Sequence, residues 1–321
     1  MKLKAYGKIN LSLGVTGRRD NGYHDIYSVM QDIDLHDNID IRFVYEKLNN
    51  LCCTVDGVAI KFCMDDCTIP ADETNLAVRG ARAVLNRAAD DYGETLFSKQ
   101  VQFPEGKPAG LIISLEKNLP SAAGLAGGTA DGAVTMLAVN SLLGNPYSLR
   151  EIMDMGISIG SDFPYSIMMN ACRNSGELQG LRGIEEGGRA AVVRGIGESV
   201  EPCPPVHTYV ILMNPGVGVS TAQVYRGLDE MNIRSAGEEE LYSNIMERYT
   251  LSVCSEAADL MEAMKKHLSA EHVMMSGSGP SIAACYTDRE KAEKDFISLE
   301  NAAWVHDSWK KWFVESGRRQ I

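Results

Sequence analysis

From Ser121 to Ala130 the chain reads "SAAGLAGGTA", in which only Leu125 and Thr129 carry more than a very small side chain. The helical pattern of "DGAVTML" follows at once. Such a run leaves the backbone open to close approach, and a helix start adds unpaired N–H groups at the positive end of its dipole. Together these favour an anion, and an extended polyphosphate uses both features. The same residues also suit a tight strand-to-helix turn with close packing. Gly124, Gly127 and Gly128 are free to take positive φ, with Thr129 or Asp131 expected in the first helical turn. Neither familiar nucleotide loop fits. No lysine follows Gly128 as a P-loop requires, and "GLAGGTAD" lacks the G-x-G-x-x-G spacing of a dinucleotide fold.

Around that run there is chain enough for two cores: 321 residues, 45% apolar and 23% charged. The net charge of −12 argues against a nucleic-acid or anionic-membrane surface. An anionic ligand would then be held by local groups against an unfavourable overall field. No N-terminal segment has the pattern of a secretion signal and no apolar run nears a membrane span, so a cytoplasmic location is the default expectation. Cys52, Cys53, Cys63 and Cys67 cluster without the paired spacing or nearby histidine of a structural zinc site, so reduced thiols are expected.

Period-two alternation predicts strands at residues 4–15, 38–44 and 111–115. "DETNLAVRGARAVLNRAA" predicts a helix capped by Asp72 or Thr74. A second helix is predicted from about Thr129 to Leu143, and a third, "SLREIMDMGISIG", is capped by Ser148 and ends near Gly160. Residues 173–191, polar and glycine-rich, read as a long loop or domain junction. Beyond them "HTYVILMNPGVGVST" predicts a buried strand and turn, and "LSVCSEAADLMEAMKKHL" a helix. "HVMMSGSGPSIAACY" predicts two short strands around a glycine turn, and the tail an amphipathic helix carrying Trp304, Trp309 and Trp312. Mixed elements without strict βαβ alternation give α+β as the fold class.

Five motifs fall in order over residues 7–281: "GKINLSL" with "TGRRDNGYH", "PSAAGLAGGTAD", "GSDFP", "NPGVGVSTAQVY" and "MSGSGPS". In this set the chain resembles the GHMP superfamily of galactokinase, homoserine kinase, mevalonate kinase and phosphomevalonate kinase. "GYH" and "GVSTAQVY" are similar to its branch that phosphorylates a cytidine-diphosphate-linked methylerythritol in the non-mevalonate isoprenoid route. The resemblance implies an ATP-dependent small-molecule kinase of two-domain α+β fold. A ribosomal-S5-like domain would occupy residues 1–175 and a ferredoxin-like domain residues 176–321, with the boundary within 173–189 and a cleft between them. A kinase for another small alcohol, of the homoserine or mevalonate type, stays open at this point, as does a non-catalytic nucleotide-binding member of the fold.

Residue by residue, the family's phosphate loop matches Pro120, Ser121, Ala122, Ala123, Gly124, Leu125, Ala126, Gly127, Gly128, Thr129 and Ala130. Asn75 in "ETNLA" matches a segment close to the nucleotide. Asp162 matches the carboxylate that receives or orients the hydroxyl proton. Lys8 matches the lysine that keeps that carboxylate ionised and stabilises charge on the reacting oxygens. Tyr23 and Tyr225 match rings that stack on cytosine, and His24 the reader of its edge. Asn10 and Thr221 match contacts to the substrate's diphosphate or erythritol portion. ATP is the implied co-substrate and magnesium its companion, with the metal ligands and the oligomeric state left open. The chain departs from the family at Tyr6 and Gly7, where many members have proline-alanine, and at "MNACRNSGELQGLRGIEE", a longer stretch than the family's.

Overall fold

The computed structural model describes residues 1–64, 69–93 and 108–317, so Cys67 of the cysteine cluster lies outside the described residues. The chain forms two compact units built from interleaved segments. One comprises Met1–Tyr6, His36–Leu119 and Gly127–Gly188, and the other Gly7–Leu35, Pro120–Ala126 and Arg189–Ile321. Two long strands, β1 (Lys2–Arg18) and β2 (His24–Val44), contribute residues to both. The sequence pattern predicts only the last part of β2. Its first part carries Ser28, Gln31 and Asp32 at buried positions, which breaks the apolar alternation. Each bonds to a partner elsewhere in the chain: Ser28 Oγ donates to Ser12 O, Gln31 Nε2 to Ser316 Oγ, and Asp32 Oδ2 accepts from Arg189.

In the first unit β3 (Cys53–Val55) and β4 (Val58–Met64) form a hairpin, and β5 (Ala109–Glu116) runs parallel to β4 with Val58 opposite Ala109. The end of β2 closes this sheet antiparallel to β5, Asn38 opposite Glu116. Four α-helices among the described residues belong to the same unit: α1 (Leu76–Tyr92), α2 (Gly127–Leu142), α3 (Leu149–Gly156) and α4 (Phe163–Arg173). Helix α2 is buried almost all round, as a helix apolar on every face must be. Its packing on α1 depends on missing side chains: a Cβ at Gly80 would sit 2.5 Å from Gly132 O, and one at Gly132 2.6 Å from the Phe163 ring.

The cap of α1 is Asn75 rather than Asp72 or Thr74. Asp72 instead accepts from the Thr74 amide and hydroxyl in the turn just before it. Helix α2 starts at Gly127, which moves Asp131 out of the first turn. Ser148 and Glu151 form the capping box of α3, which stops at Gly156, short of Gly160. The long stretch after α4 is irregular but pinned. Asn174 bonds both the amide and the carbonyl of Lys4, and Leu178 and Leu181 are buried.

In the second unit β6 (Ala190–Gly195) and β7 (Ser199–Cys203) make a hairpin beside β2, Ile26 opposite Gly195. Strand β8 (Thr208–Asn214) leads to α5 (Thr221–Glu230), and β9 (Ser243–Asn244) pairs parallel with β1. The single helix expected over residues 251–268 is two, α6 (Glu247–Val253) and α7 (Ser255–His267), because Cys254 between them is extended. Strands β10 (His272–Met275) and β11 (Ile282–Tyr286) flank the glycine turn as predicted, followed by α8 (Arg289–Ser298). The tail is not helical around its tryptophans. Trp304 and Trp309 lie in turns and Trp312 on β12 (Lys310–Ser316), which pairs with β8 throughout its length. Backbone pairing with a distant strand overrides the local helical pattern there. No described helix is long and apolar enough to cross a membrane.

Candidate active site

Within the second unit residues 120–126 of the glycine-rich run, β1 from Gly7 onward and the β10–β11 turn come together. The loop takes positive φ at Ala122, Gly124 and Ala126, whereas Gly127 and Gly128 are already helical. Those two glycines do not use their freedom to take positive φ, and space is short around Gly127. A Cβ on Gly127 would lie 3.1 Å from Lys117 Nζ, and one on Gly128 3.4 Å from Leu76. Leu125 O accepts from the Lys8 amide, and Gly124 O from the Ser276 hydroxyl. Lys8 is 4% exposed, buried where an ordinary strand lysine faces water, and its Nζ donates to Asn10 Oδ1 at 2.6 Å. Asn10 passes the network on to Ser28.

Asn244, which no spacing in the sequence singles out, donates to both Met275 O and Gly277 O and so holds the "SGSGPS" turn. Thr221, first residue of α5, shares a hydrogen bond with Ser278 at 2.8 Å. The same unit brings His24 and Tyr225 together, their rings stacked with centroids 4.7 Å apart, while Tyr23 is 55% exposed. His24 Nε2 lies 2.8 Å from Asp229 Oδ1, another residue without a sequence signal.

Asp162, Asn75 and residues 127–130 belong to the first unit. Asp162 stands at the N-cap of α4, yet its side chain makes no capping hydrogen bond. Asn75 is different: Oδ1 accepts from Ala77 N and Nδ2 donates to Pro70 O, so its amide is spent on the start of α1.

Beside Gly127 lies a buried cluster that sequence reading missed. Lys117 donates to Asp37 and, at 3.0 Å, to Asp131. Asp37 also accepts from the amides of Asn118 and Leu119, fixing the chain as it enters the loop. Burial opposes the Lys117 charge, but the two carboxylates win and its pKa stands above the ordinary value. Two carboxylates cannot both stay ionised around one ammonium in a dry site. Asp131 gives way: its Oδ1 has no partner among the described residues, and burial with the neighbouring Asp37 charge pushes its pKa up to about 8. The folded protein thus holds a proton that the unfolded chain releases near 3.8, and raising the pH between these values favours unfolding. Urea denaturation at pH 5 and pH 9 is expected to show wild-type stability falling by about 4 kcal/mol relative to Asp131→Asn, whose amide cannot ionise. Parallel behaviour of the two proteins would refute the buried-proton assignment.

Residues 75–170 match the family described as "GHMP kinases N terminal domain" and residues 226–304 match "GHMP kinases C terminal". A 4-diphosphocytidyl-2-C-methyl-D-erythritol kinase of Pelobacter propionicus is 33% identical over 95% of this chain and 96% of its own. One from Lachnoclostridium phytofermentans is 30% identical over 98% of both. Among solved structures, a 4-(cytidine 5'-diphospho)-2C-methyl-D-erythritol kinase superposes with a TM-score of 0.68 at 24% identity, covering 99% of this chain and 100% of that one, which speaks for the fold. Both domains matched in order, and relatives at this identity over nearly the full length, mean that the chain belongs to the GHMP kinase family, among the 4-diphosphocytidyl-2-C-methyl-D-erythritol kinases.

Proposed function

We propose that this chain transfers the γ-phosphoryl group of ATP to the 2-hydroxyl of 4-diphosphocytidyl-2-C-methyl-D-erythritol, in the methylerythritol phosphate route to isoprenoids. The observation that carries the reading is the near full-length likeness to kinases of that name. Phosphoryl transfer asks the protein for positioned reactants, neutralised charge and a destination for the hydroxyl proton. In this reading Asp162 receives or orients that proton, and the buried ammonium of Lys8 stabilises charge on the transferring group. The loop of residues 120–130 offers bare backbone to the triphosphate. His24, Tyr23 and Tyr225 recognise the cytosine, and Asn10 and Thr221 the rest of the substrate. Asn75 supports the nucleotide side by shaping the start of α1.

Magnesium is expected to travel with ATP. No group of three His, Cys, Asp or Glu suited to a metal ion occurs among the described residues. Beside the phosphate oxygens, Thr129 or Asp162 would offer an oxygen donor to the ion. Its chemistry, when bound, is to offset the charge of the phosphates.

The test is ADP formation with the cytidyl substrate, competed by CMP. Turnover that CMP leaves untouched, or none with this substrate, would reject the reading. Lys8→Met is expected to lower kcat by about 10²-fold while leaving the thermal melt intact, since methionine fills the same buried space. Lys8→Arg is not expected to rescue it, because the bulkier fork cannot keep the contact to Asn10.

A further inference from the structure

We infer that Asp229 makes this site select an amino-bearing pyrimidine, by fixing which nitrogen of His24 carries the proton; the step rests on the cytidyl reading above. Asp229 Oδ1 lies 2.8 Å from His24 Nε2, accepts from Arg234 as well, and Arg18 stands 3.4 Å from Oδ2. Burial favours the neutral acid, yet the bonds from His24 and Arg234 prevail and hold this carboxyl below its ordinary range. An ionised carboxylate can only accept. His24 Nε2 must therefore be the protonated nitrogen, and in the neutral ring Nδ1 is left as an acceptor.

Tyr225 lies against one face of the imidazole, so the ring offers its edge to a ligand. Nδ1 has no hydrogen-bond partner among the described residues. Cytosine brings a 4-amino donor to such an acceptor. Uracil brings a 4-oxo lone pair, and the two acceptors repel. A site built to pair with one hydrogen-bonding group rejects the analogue that lacks it far more strongly than a site built on shape alone. Asp229 reaches no substrate in this scheme. It is a positioning residue that decides base identity through His24.

The experiment compares kcat/KM for the cytidyl substrate with that for its uridyl counterpart. Wild type is expected to prefer the cytidyl form by about 10²-fold or more. Asp229→Ala lets the imidazole change tautomer and is expected to bring the ratio below about 10, mostly through KM. Asp229→Asn, its carbonyl oriented by Arg234, is expected to keep the ratio within about threefold of wild type. ¹⁵N shifts of the His24 ring in the wild-type protein, which need no variant to fold, are expected to show the proton on Nε2. A proton on Nδ1, or a folded Asp229→Ala that still discriminates like wild type, overturns the inference and leaves the kinase reading standing. A wild type that does not phosphorylate the cytidyl substrate overturns both.

Discussion

Replacing Asp162 by asparagine is expected to reduce kcat by about 10³-fold with little change in either KM, the signature of an interaction made in the transition state alone. Asparagine keeps the size of the side chain and loses its negative charge together with the ability to take up a proton. Asp162 occupies the N-cap of α4 without a side-chain capping bond, and asparagine is as good a capping residue as aspartate. The melting temperature should therefore stay within about 2 °C of wild type. Initial rates of ADP release, with a melt of the same sample, decide the matter. An Asp162→Asn protein with wild-type turnover would mean that the hydroxyl proton goes elsewhere.

Gly124→Ala is expected to damage both stability and nucleotide binding. Gly124 has φ +73°, and an added Cβ would press into the Ser276 carbonyl, far inside van der Waals contact. Both groups are backbone, so no rotamer change relieves the clash. Strain at positive φ and overpacking each contribute about 1–3 kcal/mol, so a loss of about 3 kcal/mol and a melt lowered by about 5–10 °C follow. Because the loop must shift to make room, the KM for ATP should rise by at least about tenfold. Ala122 and Ala126 supply the control, since they already carry a Cβ at positive φ. Ala126→Gly should leave both the melt and the KM for ATP nearly unchanged. Equal effects of Gly124→Ala and Ala126→Gly would show that the Ser276 contact is not what constrains the loop.

Much of the fold was legible because its signals are local. The apolar pattern of α2, the Ser148 capping box, the β10–β11 turn and the irregular stretch after residue 173 all follow from neighbours in sequence. The first part of β2 was missed because its buried polar residues find partners elsewhere in the chain, for Gln31 and Asp32 more than a hundred residues away. For the same reason the tail was misread: residues 310–316 become a strand only because β8 is there to pair with them. Even the boundary between units follows contacts, not chain order. The chain changes unit between Gly188 and Arg189, and also after Tyr6, Leu35, Leu119 and Ala126.

The sequence by itself determined the glycine-rich run ahead of a helix, the order of the motifs and, through them, the family. Those are properties of residue type and spacing. Tertiary structure alone decided that Ala122 and Ala126, not Gly127 and Gly128, bend backwards, that Lys8 is buried against Asn10, and that Asp229 backs His24. It also gathered Asp37, Lys117 and Asp131 into one dry cluster. A hydrogen bond or an ion pair needs two groups within about 3 Å. Where the two are far apart along the chain, only folding supplies that distance.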